Sequence, residues 1–222
     1  YCPSTRPDNS KNIKGGITID NVTVDLTIKN VTIQSGGARG WNLAGIYLKG
    51  NAQLNLTLEG KNTLLGQDDG AGIEVGKGAT LVITENSTGS LKAVGGAYGA
   101  AGIGGKPGTT GYEGADKNYG TGTIIIKGGS IVAEGGAYQI PQTQDYEGGA
   151  GIGTGHYGIG GTIKILGGTI TAKGGRQTGA GIGGGMSGRV DTIVIGGRKD
   201  EAPNIAVSFY KNEKSEYLGA AI

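Results

Sequence analysis

The side chains of this sequence best equipped for chemistry are a scatter of carboxylates and a single histidine. Cleavage of a glycosidic bond requires two carboxyl groups, or a metal cluster with a basic residue, converging on one bond. The position after a recurrent Ala-Gly-Ile triplet reads Tyr47, Glu74, Gly104, Gly153 and Gly183, a single acid with no acidic neighbour. Asp25 and Asp191 occupy related places but lie far apart along the chain. His156, in a glycine-rich stretch beside Tyr157, reads as a solvated residue. No catalytic residue is assigned, and a non-enzymatic protein is expected. Calcium needs six to eight oxygens from closely spaced acids and carbonyls. Asp68-Asp69, Glu113, Asp116, Asp145 and Glu147 match no recognised calcium loop. No cofactor is expected, and calcium in an inserted loop is the one alternative left open.

Binding chemistry is better represented. The chain has ten tyrosines but one phenylalanine and one tryptophan. A set chosen for packing alone would contain more Phe, whereas Tyr offers a ring face and a hydroxyl together. Three places before each Ala-Gly-Ile stand Trp41, Asp68, Tyr98, Glu147 and Gln177. If that triplet marks equivalent places in a stacked repeat, these five residues lie in file. Trp41 and Tyr98, two layers apart, are then about 10 Å from each other. Two rings at that spacing suit alternate units of an extended glycan, with Asp68, Glu147 and Gln177 bonding to hydroxyls. Tyr138 and Tyr146, in a nearby insertion, are expected to form a wall.

The elements that position these residues follow from composition and repetition. Glycine supplies 50 of 222 residues, far above the usual share of about 7%. Collagen is excluded by only five prolines, and a disordered linker by strand-forming runs such as Thr123-Ile124-Ile125-Ile126. The remaining reading is a solenoid of short strands with glycine in its corners. Strand segments recur at Val24–Ile28, Ala52–Leu56, Ala79–Ile83, Gly122–Ile126, Gly161–Ile165 and Asp191–Ile195, each with apolar residues at alternate positions. Thr80, Thr123, Thr162 and Thr192 fall in one outward column. A second strand follows at Val31–Ile33, Ser90–Val94, Ser130–Ala133 and Thr169–Ala172. The third element is the triplet itself, predicting an interior ladder of Ile46, Ile73, Ile103, Ile152 and Ile182.

The expected architecture is therefore all-β, a right-handed parallel β-helix of about six rungs with three short strands each. Residues 1–14 read as a leader or junction, 15–197 as the repeat domain, and 198–222 as an irregular terminal rung or cap. Two rungs carry insertions, within Lys106–Gly120 and Ala137–Gly148, and such loops often carry function. A net charge of +2 with scattered signs argues against nucleic acid, and no apolar run suits membrane insertion. The lone Cys2 has no partner within the chain. Oligomeric state is left open.

The segment Gly-Ala-Gly-Ile-Gly-Gly-Gly at 179–185, with Gly-Thr-Ile-Lys-Ile-Leu-Gly-Gly-Thr-Ile-Thr-Ala at 161–172, resembles glycine-rich repeats of large bacterial surface and secreted proteins. Ile-Tyr-Leu-Lys-Gly-Asn-Ala-Gln-Leu-Asn-Leu-Thr-Leu-Glu-Gly at 46–60 is similar too. The resemblance spans roughly residues 15–197 and implies the pectin-lyase-like β-helix architecture, an extracellular or cell-surface location and association with adhesion. It supplies no catalytic residues, and a fold does not define a function. The expected function is a carbohydrate-binding, adhesin-like module taking polysaccharide or a host or plant glycan. The alternatives are a spacer or stalk of a surface adhesin and, less favoured, a polysaccharide lyase or hydrolase.

Overall fold

The computed structural model describes residues 11–36, 43–108, 119–139, 146–197 and 202–208. They form three parallel sheets wound as successive coils, the expected β-helix of about six rungs, with no helix among them. Sheet A stacks β1 (Lys11–Lys14), β4 (Val31–Gln34), β7 (Lys61–Leu65), β10 (Ser90–Val94), β13 (Ser130–Glu134), β18 (Thr169–Lys173) and β21 (Asn204–Ser208). Sheet B stacks β2 (Ile17–Asp20), β5 (Ile46–Lys49), β8 (Ile73–Val75), β11 (Ile103–Gly104), β16 (Ile152–Gly153) and β19 (Ile182–Gly183). Sheet C stacks β3 (Thr23–Lys29), β6 (Gln53–Glu59), β9 (Thr80–Ile83), β12 (Thr123–Ile126), β17 (Thr162–Ile165) and β20 (Thr192–Ile195). The chain runs A to B to C in every coil. A fourth, two-stranded sheet pairs β14 (Ala137–Gln139) with β15 (Tyr146–Gly148) antiparallel.

Alternation within each strand sends one residue in two to a shared interior. The five triplet isoleucines pair in sequence, Ile46 to Ile73, Ile103, Ile152 and Ile182, and each is fully buried. Leu81, Ile124 and Ile163 form a corresponding column in sheet C, and Leu91, Ile131 and Ile170 one in sheet A. All join a single core cluster. Burying one such side chain contributes about 1.5–3 kcal/mol, so adding a coil adds a roughly constant increment to the core. The outward threonine column is also in register, from Thr80 through Thr123 and Thr162 to Thr192.

Regular coils extend beyond the segments legible as strands. Lys11–Lys14, inside the stretch read as a leader, pairs with Val31–Gln34, and Asn204–Ser208 pairs with Thr169–Lys173. Corners in the first coils are tied by asparagine: Asn21 Oδ1 accepts from the amide of Asn51, and Asn30 Oδ1 from that of Lys61.

Candidate functional site

In four coils the chain leaves sheet A and turns into sheet B through a passage that carries a residue of the predicted column, Asp68, Tyr98, Glu147 and Gln177 in turn. Trp41 lies outside the described residues. The amide of Tyr98 donates to the carbonyl of Asp68 at 2.8 Å, which places these two column residues on neighbouring coils as expected. The second insertion enters the same corner as the hairpin β14–β15. Its Tyr138 ring meets the Tyr98 ring with centroids 5.3 Å apart and a 45° tilt, and both rings are partly exposed. Tyr146 is covered by Arg176, whose guanidinium lies 4.0 Å from the ring centroid and also donates to the tyrosine hydroxyl. Gln177, expected to face ligand, instead accepts the amide of Tyr146 through its Oε1 at 2.8 Å. Thr178 Oγ1 accepts from the amide of Gly148 at the same distance. Residues 176–178 thus strap the hairpin to the next coil.

The structure corrects two expectations. Glu147 was expected to meet sugar hydroxyls and His156 to be solvated, yet they are only 6% and 5% exposed. His156 Nδ1 lies 2.9 Å from the carbonyl oxygen of Tyr98, and a carbonyl only accepts, so this nitrogen carries the proton. Nε2 faces Glu147 Oε2 at 3.6 Å, within ion-pair reach but too long for a hydrogen bond. Burial pushes the imidazole below its ordinary value, against the raising effect of the Tyr98 carbonyl, and pushes the Glu147 carboxyl up. Desolvation therefore opposes the fully charged pair that the 3.6 Å approach would favour. The direction set by burial prevails, because the contact is too long to repay two desolvated charges. The pair serves as a foundation for the Tyr98–Tyr138 rings.

His156 reaches this corner because the chain turns sharply just after the triplet. The amides of Ala101, Ala150 and Ala180 each donate to the carbonyl four residues on, at Gly105, Thr154 and Gly184. These tight turns place Gly104, Gly153 and Gly183 at φ near +140°, a region closed to other residues. A Cβ on Gly104 or Gly153 would lie 1.8 Å from the next coil's carbonyl oxygen. The chain then doubles back, and the amide of His156 donates to the carbonyl of Gly99. In the earlier coils the same place holds Tyr47 and Glu74 on ordinary strands.

A cleft opens where the ordinary coils meet the first doubled-back one. Its volume is about 330 Å³, and its walls include Tyr47, Glu74, Lys77, Lys106 and Tyr119. Tyr47 and Glu74 are register partners on β5 and β8, and Glu74 pairs onward with Gly104. Lys106 Nζ lies 5.5 Å from the Tyr119 ring centroid. Glu74 is 7% exposed and titrates at about 7, because burial outweighs the nearby Lys106 ammonium and Asp69 adds to the rise. Burial and the Glu74 charge also raise the Tyr47 hydroxyl. Sequence reasoning set Glu74 aside as a single acid. The signal available was its position in a column otherwise turning to glycine, one coil before an insertion that starts at Lys106.

Among the described residues no three His, Cys, Asp or Glu side chains converge as a metal site. Glu113, Asp116 and Asp145 lie outside those residues. Comparison with family models, curated proteins and solved structures gave no match.

Proposed function

We propose that the chain is a non-catalytic, extracellular carbohydrate-binding module of a bacterial surface protein, adhesin-like, that holds polysaccharide on the corner between sheets A and B. The observation that carries this reading is the Tyr98–Tyr138 ring pair, set on two successive coils and partly open to solvent. Tyr146 under Arg176 extends the aromatic surface, and Asp68 supplies an acceptor beside it. Ring faces pack on the C–H faces of sugars while hydroxyls and charged groups bond to their oxygens. Trp41 belongs to the same sequence column and is included on that ground alone. Gln177 and Glu147 support the corner instead of touching ligand, since Gln177 Oε1 accepts the Tyr146 amide and Glu147 is buried. The glycine-rich resemblance to surface proteins favours the same conclusion.

The test is retention of the protein on a panel of immobilised polysaccharides, comparing the parent with Tyr98→Ala, Tyr138→Ala and the double variant. For a polysaccharide that the parent binds, the double variant is expected to lose about tenfold or more in affinity, equivalent to about 1.4 kcal/mol. Its melting temperature should change little. A spacer would bind none of the panel, and unchanged retention in the double variant would refute the corner as the site.

A further inference from the structure

The cleft at Glu74 takes no part in the corner site. Gly76 and Lys77 in its wall belong to the passage from sheet B to sheet C, on the far side of sheet B from Tyr98 and Tyr138. It has three properties of a ligand site. First, Glu74 is held in a nearly buried position while its side chain lines open space. A desolvated carboxylate is costly, and a hydroxyl donating to it from a ligand would offset part of that cost. Second, charge and rings stand together. The Lys106 ammonium is close enough to Glu74 to oppose its rise, and Tyr47 and Tyr119 flank the two. Third, the volume, about 330 Å³, is at the lower end of the 300–1,000 Å³ typical of small-molecule sites.

We propose that this cleft binds a single sugar unit of a glycan through a vicinal diol. The Glu74 carboxylate accepts from one hydroxyl, Lys106 donates to the oxygen of its neighbour, and Tyr47 and Tyr119 wall the ring. An acceptor beside a donor matches two adjacent hydroxyls, each of which donates and accepts. The choice of a sugar as ligand rests on the glycan reading of the corner, while the surface is a separate one.

Because the acceptor must be ionised, binding is linked to pH. Among the described residues, Lys106, Lys77, Tyr47, Tyr119 and Asp69 stand around Glu74, and Glu74 is the one brought to about 7. The experiment is saturation-transfer NMR on the full chain with methyl glycosides of glucose, galactose, mannose and fucose, at pH 8.5 and 5.5. At least one glycoside is expected to bind at pH 8.5 and to weaken about thirtyfold at pH 5.5, following the ionised fraction of Glu74. Glu74→Gln should abolish both the binding and its pH dependence, and Lys106→Met should weaken binding tenfold or more. The Tyr98→Ala/Tyr138→Ala variant should bind the glycoside as the parent does. Failure of all four glycosides at pH 8.5, or equal binding by Glu74→Gln, overturns the inference and leaves polysaccharide retention at the corner as an independent result. Loss of polysaccharide retention in Glu74→Gln alone would overturn the separation of the two surfaces.

Discussion

Glu74 places a measurable strain on the fold, and removing its charge tests the geometry of the cleft without any ligand. A carboxyl brought from 4.5 to about 7 binds its proton more tightly in the folded chain than in the unfolded one. Below about 4.5 it is protonated in both states and imposes no cost. Between 4.5 and 7 the unfolded chain releases the proton while the folded chain keeps it, so stability falls as pH rises. Above about 7 the full cost is present. At 1.36 kcal/mol for each pKa unit this amounts to about 3 kcal/mol. Glu74→Gln keeps the shape and removes the charge. The variant should therefore gain on the parent progressively from pH 4.5 upward, reaching about 3 kcal/mol at pH 8.5. Urea unfolding followed by circular dichroism at four pH values would measure it. Other titrating groups, His156 and Glu147 included, are common to both proteins and drop out of the difference. A difference independent of pH would mean that Glu74 is solvated, and the cleft as described would be wrong.

The core and the doubled-back turns lead to three more outcomes. Gly153→Ala, at φ +141° with 1.8 Å from its new Cβ to the Gly183 carbonyl oxygen, should cost several kcal/mol in a thermal melt. Gly196→Ala, with nothing within 4 Å, should fall within about 0.5 kcal/mol of the parent. Ile152→Asp, placed between Ile103 and Ile182 in a fully buried ladder, should lower stability by several kcal/mol at neutral pH and less below pH 5, where the acid is protonated.

The repeating part of the fold was readable because its physics is periodic. An isoleucine at one place in every coil, alternating apolar residues and paired glycines in corners all point to one interior. Strand Lys61–Leu65 escaped notice for a particular reason. The first of its two inward positions is Asn62, the register partner of Leu91, where an apolar residue is the rule, and only the second, Leu64, is apolar. Asn62 is tolerated there because its Oδ1 accepts from the Val31 amide and its Nδ2 donates to the carbonyls of Glu59 and Ser90. A buried amide that satisfies its own polar atoms with neighbouring coils leaves the apolar alternation of the strand one residue short. Glu147 and His156 were hidden differently. They are nine residues apart and meet only because the chain reverses after Ile152, a reversal visible in sequence as nothing more than glycine.

That reversal also explains where recognition chemistry can be placed on this molecule. Register position by register position, the first outward site of sheet B is Thr18, Tyr47 and Glu74 in the early coils, then Gly104, Gly153 and Gly183. At Gly104 and Gly153 the next coil's carbonyl leaves no room for a side chain, and at Gly183 the backbone, at φ +142°, favours glycine. The later coils therefore give up the middle of sheet B as a binding face, and their ring-bearing and charged residues move into the corners. Tyr98, Tyr138, Tyr146 and Arg176 gather on the A–B side, where the hairpin insertion gives them a base. Tyr47 and Glu74 keep the sheet face only up to the step, and the first returning segment turns that step into a cleft. The two surfaces are consequences of one change in the repeat: the exchange of a side chain for glycine immediately after the isoleucine.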